Sequence, residues 1–91
     1  MREANRTLIN PLGLHARAAA KLVDVANKFA SQQTLTFKTK TVDCKSIMSL
    51  LLLGAPVGSD VTIKAEGEDE IAAIAAIVEL IDLGFHELED S

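Results

Sequence analysis

The sequence contains no tryptophan and no tyrosine, and it has one cysteine in 91 residues. The single thiol, Cys44, cannot form an internal disulfide, which favours a reducing compartment and a structural role for this side chain. Cys44, His15 and His86 are the soft metal ligands of the chain, and their spacing matches no recognisable type of metal site. We therefore expect no metal and no other cofactor.

Signals for membrane and nucleic-acid binding are also missing. The sequence has no apolar run of membrane-spanning length and no leader with a basic segment before an apolar one, which predicts a soluble cytoplasmic protein without a membrane partner. The formal net charge is −4 and aromatic residues make up 3% of the chain, so nucleic acid is not the expected main partner. With 48% hydrophobic residues, the chain is expected to form one domain over residues 1–91.

Hydrophobic periodicity predicts the order strand, helix, strand, strand, helix, strand, helix. The predicted strands lie near residues 6–9, 34–37, 38–42 and 61–65, where polar and apolar residues alternate. The predicted helices cover residues 16 to about 30, a short segment between the cap Ser46 and the stop at Gly54, and residues 68–84. An antiparallel sheet with the helices on one face, an α+β fold, would bury the apolar sides of these elements.

The tripeptide His15-Ala16-Arg17 has the clearest chemistry. It follows a turn-forming stretch at residues 10–13 and opens an alanine-rich helix, so His15 is expected at a fixed but exposed junction. Imidazole is a nucleophile near neutral pH, a helix start offers N–H groups to an anion, and an arginine side chain matches phosphate oxygens. Together these residues predict a site that accepts a phosphoryl group. A surface or capping histidine without chemistry is the plainer alternative.

The second informative segment is the short helix at residues 46–54, which contains four consecutive leucines. Apolar side chains cover nearly its whole circumference, whereas a helix on a sheet buries only one face. We expect Leu50 and Leu53 to face the core. The residues expected to form an exposed patch for partner proteins are Ile47, Met48 and Leu51. Burial of the whole segment under loops or the third helix is the alternative.

These segments and the order of elements resemble the HPr family, the histidine-containing phosphocarriers of the phosphoenolpyruvate-dependent phosphotransferase system. The matching residues are Gly13-Leu14-His15-Ala16-Arg17, Lys45-Ser46-Ile47-Met48 and the leucine run that closes at Gly54. The resemblance covers essentially the whole chain. It implies an open-faced β-sandwich, a four-stranded antiparallel sheet with three helices on one face. One departure is Ala18, which stands where most members of the family have proline.

The resemblance implies a phosphocarrier with a phosphohistidine intermediate rather than a stand-alone enzyme. By that resemblance, His15 accepts the phosphoryl group through Nδ1 from phosphorylated enzyme I and passes it to IIA proteins in a bacterial cytoplasm. Arg17 then neutralises phosphate charge, and the backbone N–H groups of Ala16 and Arg17 bind phosphate oxygens. The sugar-transport and nitrogen-related branches of the family both remain open.

The resemblance also marks Ser46 as the position where an HPr kinase/phosphorylase acts in some bacteria, although a role as helix N-cap explains Ser46 equally well. The expected docking surface for enzyme I and IIA proteins comprises Leu12, Ala20, Ile47, Met48 and Leu51, and we expect a monomer. Two other functions remain open. One is a regulatory adaptor on the same fold, a type of relative that lacks the active-site histidine, and the other is a ligand-binding domain without phosphate chemistry.

Overall fold

A computed structural model of the chain describes residues 1–87, so residues 88–91 of the predicted domain lie outside the described part. The elements are β1 (Arg2–Thr7), α1 (Ala16–Ala26), β2 (Gln32–Phe37), β3 (Lys40–Asp43), α2 (Ile47–Leu53), β4 (Asp60–Glu66), α3 (Glu70–Asp82) and a 3₁₀ turn at Gly84–His86. The predicted order and the α+β class are confirmed. The final 3₁₀ turn, called the C-terminal turn below, is an element that the periodicity did not predict.

The four strands form one sheet in the order β1-β4-β2-β3, and every neighbouring pair is antiparallel. Side chains of the central strands alternate between the two faces, with Leu35, Val61 and Ile63 buried towards the helices. The opposite face has polar pairs such as Thr36 and Thr41, whose hydroxyl oxygens are 2.7 Å apart. The sheet is therefore covered on one face only, which confirms the open-faced arrangement.

The layer between sheet and helices is filled by aliphatic side chains and one phenylalanine. Helix α1 contributes mainly small buried residues, including Ala18 and Ala19, and one large one, Leu22. Phe85, from the C-terminal turn, is fully buried among them. Burial of a side chain of this size contributes roughly 1.5–3 kcal/mol. The C-terminal turn is therefore anchored to the core by its aromatic ring.

The Asp69 carboxylate binds the chain that follows α1. Helix α1 ends at Ala26 rather than near residue 30, and the N–H groups of Ala30 and Ser31 donate to the Asp69 carboxylate at 2.7 and 2.8 Å. Hydrogen bonds from Ser31 and Ala30 hold the pKa of the Asp69 carboxyl below its usual value. Asp69 therefore lies just before α3, which begins at Glu70 rather than at residue 68 as predicted.

Helix α2 begins and ends as predicted. The Ser46 Oγ accepts a hydrogen bond from the Ser49 N–H at 3.3 Å, and Gly54 ends the helix in the left-handed region at φ +63°. Leu50 and Leu53 are buried, which confirms the predicted inner side.

The outer side of α2 differs from the prediction at one position. Ile47 and Met48 are exposed, at 39% and 62%. Leu51 is half-buried and packs against the core, so its predicted place as an exposed side chain is wrong, and Leu52 is the exposed leucine at 77%. Successive residues point about 100° apart around a helix, so one step along the leucine run exchanges a packed side chain for an exposed one.

Cys44 is fully buried next to α2, which agrees with its predicted structural role. Burial, together with the charge of Asp43, raises the pKa of the Cys44 thiol to about 12. Within residues 1–87, no helix combines the length and the apolar character that crossing a membrane requires.

The loop between β1 and α1 packs directly on the chain that leaves α2. The Gly13 N–H donates to the Asn10 carbonyl at 3.0 Å, which closes a turn, and the Leu14 N–H donates to the Ala55 carbonyl at 2.9 Å. Gly13 has φ +63°, and a Cβ there would lie 2.5 Å from the Ala55 oxygen. Gly13 is therefore required both by its backbone conformation and by the close approach of Ala55.

We predict that Gly13→Ala lowers the free energy of unfolding more than Gly54→Ala does. Both glycines have φ +63°, so both alanines incur the left-handed penalty of roughly 1–2 kcal/mol. Only the alanine at Gly13 also meets backbone atoms, and such overpacking adds about 1–3 kcal/mol. Urea unfolding of the two variants measures the difference. Equal losses of stability would show that the loop moves away from Ala55 at little cost.

Candidate functional site

His15 is the N-cap residue of α1. Its backbone is extended (φ −88°, ψ −177°), and its carbonyl accepts the first helical hydrogen bond from the Ala19 N–H at 2.8 Å. The side chain folds back so that Nδ1 accepts from the Arg17 N–H at 3.3 Å. The imidazole is held by the helix and is still 23% exposed, so it lies at the fixed, accessible junction that the sequence predicts.

The two ring nitrogens of His15 have different partners. Nδ1 faces an N–H donor and so presents a lone pair, whereas Nε2 is hydrogen-bonded to the Glu87 carboxylate oxygen Oε1. A carboxylate only accepts hydrogen bonds, so the proton of the neutral ring is on Nε2. This tautomer leaves the Nδ1 lone pair as the nucleophile at the start of α1.

Glu87 reaches His15 from the other end of the described chain. Its side chain is only 11% exposed, and the buried Asn10 side chain donates to the same carboxylate oxygen, Oε1, at 3.0 Å. Burial by itself raises the pKa of the Glu87 carboxyl. Hydrogen bonds from His15 and Asn10, with the charges of His15 and Lys21, outweigh that effect and hold the pKa below its usual value. Glu87 is therefore charged at neutral pH.

The C-terminal turn that delivers Glu87 has an unusual backbone. Gly84, Phe85 and His86 have φ angles of +63°, +54° and +64°, so two non-glycine residues are in the left-handed region. Each such residue costs on the order of 1–3 kcal/mol unless its surroundings hold it there. Burial of Phe85 holds the turn, and the Lys21 ammonium donates to the Phe85 carbonyl at 2.6 Å.

Arg17 and Ala16 form the exposed first turn of α1. Among residues 1–87, no salt bridge or hydrogen bond ties the Arg17 guanidinium to a protein group. The first N–H groups of a helix also lack internal acceptors. The helix start therefore offers backbone donors and an exposed cation close to the Nδ1 lone pair, which suits a transferred dianionic group.

Exposed apolar side chains lie on the segments that flank this site. Leu12 is 67% exposed in the loop that Gly13 and Leu14 tie to Ala55, the second residue after α2. Ala20 of the predicted docking surface is half-buried on α1, which packs against α2. The exposed apolar side chains of this region are Leu12, Ile47, Met48, Leu52 and Val57. Of the predicted surface, Leu12, Ile47 and Met48 are thus exposed and Ala20 and Leu51 are half-buried, while Leu52 is a further exposed side chain of α2.

The sequence did not identify three residues that hold the C-terminal turn and Glu87 against His15 and α1. From the sequence, Asn10 is only part of a turn-forming stretch, and Lys21 and Glu87 have no predicted role. Their roles depend on contacts across 64 to 77 positions of the chain, for which a local pattern gives no signal.

A family model described as the PTS HPr component phosphorylation site matches residues 3–82 of the chain. The phosphocarrier protein HPr of Xylella fastidiosa is 46% identical over 87 residues, which cover 96% of this chain and 98% of the relative. The crystal structure of HPr from Thermoanaerobacter tengcongensis is 45% identical, covers 96% of this chain and 98% of its own, and superposes with a TM-score of 0.92. The Bacillus subtilis protein Crh, solved as a domain-swapped dimer, is 36% identical with a TM-score of 0.74 over 92% of this chain and 97% of its own.

The family match contains the four strands, except Arg2 of β1, and the three α-helices, and it ends before the C-terminal turn and Glu87. It includes His15, Arg17 and Ser46, so the geometry at the start of α1 lies inside the shared region. The sequence identity, the structural similarity and the length of the matched region all indicate the same family. This chain belongs to the HPr family of phosphocarrier proteins of the phosphotransferase system.

Proposed function

We propose that this protein accepts a phosphoryl group on His15 Nδ1 from phosphorylated enzyme I and passes it to IIA proteins in the cytoplasm. The observation that carries the proposal is the orientation of the His15 ring, whose Nδ1 lone pair faces the helix start while Nε2 is hydrogen-bonded to Glu87. A nucleophile held in this way needs alignment and charge neutralisation more than proton transfer.

Phosphoryl transfer to His15 does not require a proton to leave the ring. The Nδ1 lone pair of His15 forms a bond to phosphorus, the bond between phosphorus and the donor breaks, and its electron pair remains with the donor. The Arg17 N–H, which donates to Nδ1 before transfer, is then free to donate to a phosphoryl oxygen. The guanidinium of Arg17 offsets part of the added negative charge, and the N–H of Ala16 supplies a second donor.

The docking surface, extended by Leu52, supports successive binding of donor and acceptor. Its exposed side chains are apolar and lie on the segments next to His15, so a partner that covers them brings its own reactive group to Nδ1. A carrier must release enzyme I before it meets a IIA protein, which calls for a small and transient interface. We propose that the protein does this as a monomer.

Ser46 is the proposed site of regulation by an HPr kinase/phosphorylase. Its hydroxyl is half-buried, donates to the Ser49 hydroxyl at 2.9 Å and precedes the exposed Ile47 and Met48. The Lys45 ammonium donates to the Phe29 carbonyl at 2.8 Å and so is engaged elsewhere. A phosphate on Ser46 would add about −1.5 to −2 charges next to apolar side chains that partners must cover.

We expect His15→Ala to abolish acid-labile labelling by enzyme I and phosphoenolpyruvate while the fold is retained. Loss of the N-cap should cost about 0.5–2 kcal/mol of stability, which circular dichroism during thermal unfolding measures. The matched control is His86→Gly, which removes the other histidine at a position with φ +64° and should still be labelled. Label on the His15→Ala protein would contradict the proposal. A parent protein that enzyme I does not label would favour the regulatory adaptor.

We expect Met48→Asp to weaken binding of enzyme I and of a IIA protein by about tenfold or more, because a buried anchor residue typically contributes more than about 1 kcal/mol. Ile71→Asp is the matched control, since Ile71 on α3 is exposed to 61% against 62% for Met48. Calorimetric titration measures both affinities. A larger effect of the Ile71 change would place the interface on α3 and remove the docking surface from the proposal.

We expect Ser46→Asp to fold normally, because a negative charge suits the start of a helix, and to accept phosphate from enzyme I more slowly. Thr39→Asp, in the exposed turn between β2 and β3, is the control for net charge. The rate difference should shrink at high salt if it is electrostatic. Equal rates for Ser46→Asp and the parent protein would leave Ser46 with a capping role only.

A further inference from the structure

We propose that Glu87 is a positioning residue for phosphoryl transfer, which orients the His15 ring and offsets the charge that the ring acquires. This inference rests on the proposed function of His15. Glu87 lies beyond residue 82, where the family match ends, so its role comes from the contacts of this chain.

The His15 ring is held at both nitrogens by groups that cannot exchange roles. The Arg17 N–H is a donor and fixes the side of the ring that carries the Nδ1 lone pair, while the Glu87 carboxylate is an acceptor and fixes the Nε2 proton. A ring turned over about its Cβ–Cγ bond would lose both contacts. Glu87 and the start of α1 therefore select one orientation and one tautomer, the one with Nδ1 as nucleophile.

The charge of Glu87 matters during the step itself. When the Nδ1 lone pair bonds to phosphorus and the bond to the donor breaks, the ring holds a substituent on Nδ1 and a proton on Nε2, so it becomes cationic. The carboxylate next to Nε2 stabilises that charge, and no proton has to leave. In onward transfer the phosphorus–Nδ1 bond breaks, its electron pair returns to Nδ1, and the ring leaves as neutral imidazole with the Nε2 proton in place.

The surroundings keep the Glu87 carboxylate in position. Asn10 donates to it from a fully buried amide, and the same amide donates to the Gly13 carbonyl at 2.6 Å. The charged groups on α1 near this region are Lys21, bound to the Phe85 carbonyl, and Arg17 at the exposed helix start. The carboxylate is thus linked to the loop that precedes His15, and the turn that carries it is linked to α1 through Lys21.

The backbone of the C-terminal turn is consistent with a positioning role. Phe85 and His86 adopt left-handed φ angles that side chains usually avoid, and the turn ends at the residue that binds His15. Local backbone strain that persists next to a reactive group commonly serves the site.

The experiment compares Glu87→Ala and Glu87→Gln with Glu68→Ala and Glu68→Gln, where Glu68 is exposed in the segment before α3. We expect Glu87→Ala to accept phosphate from enzyme I on the order of tenfold more slowly, as for loss of one charge-assisted hydrogen bond. Glu87→Gln should be intermediate, because its amide oxygen still accepts from Nε2 but carries no charge. The Glu68 variants should transfer at the parent rate. Parent-like rates for both Glu87 variants would overturn the proposal.

A spectroscopic readout separates positioning from a general effect on stability. In the parent protein the His15 Nε2–H should give a nitrogen-15-coupled proton resonance protected from solvent exchange. Glu87→Gln should retain this resonance and Glu87→Ala should lose it, at equal thermal stability. This measurement needs no phosphate, so it also distinguishes the two proposals. A parent protein that shows the resonance but takes no label contradicts the proposed function, and a labelled parent without it contradicts the role of Glu87.

A substitution in the C-terminal turn tests the role of Glu87 independently. His86→Val places a β-branched residue where φ is +64°, which should displace Glu87 and slow transfer. If the turn acts through Glu87, His86→Val should have no further effect in the Glu87→Ala background. Additive losses in the double variant would show that the turn serves the fold and not the histidine.

Discussion

The contact between the loop at residues 10–14 and the chain that leaves α2 is the constraint on which the site depends. Gly13 allows the two backbones to approach, and the hydrogen bond from Leu14 to Ala55 joins them at 2.9 Å. This contact fixes where α1 begins, and the start of α1 fixes the His15 ring. It also joins the loop that carries the exposed Leu12 to the chain that leaves α2, so His15 and the proposed docking surface lie on connected segments.

The site combines weak restraints rather than one strong one. His15 is held by a 3.3 Å hydrogen bond from a backbone donor on one side and by a carboxylate on the other, while the Arg17 side chain stays exposed. A carrier has to bind a phosphoryl group and release it again, so a deep anion pocket would work against its function. A helix start with an exposed cation provides moderate stabilisation of charge in both directions of transfer.

Local patterns predicted most of the fold and the centre of the site. Periodicity identified the strands and helices, and the cap at Ser46 and the stop at Gly54 were predicted because capping depends on neighbouring residues. His15 and Arg17 were proposed as site residues because a helix start, a nucleophile and a cation occur within three positions. The end of α1 and the choice between Leu51 and Leu52 were missed. After α1 the chain binds Asp69 from a distant segment, and the exposure of each leucine depends on how the short helix rotates against the core.

The sequence by itself determined the element order, the open-faced class and the place of His15 at a helix start, since each follows from residues within a few positions of one another. Only the tertiary structure decided which groups surround that histidine. Glu87, Asn10 and Lys21 meet around His15 and the C-terminal turn because Phe85 is buried and the backbone of the turn is left-handed. These contacts join residues 64 to 77 positions apart, and packing of the whole core selects them.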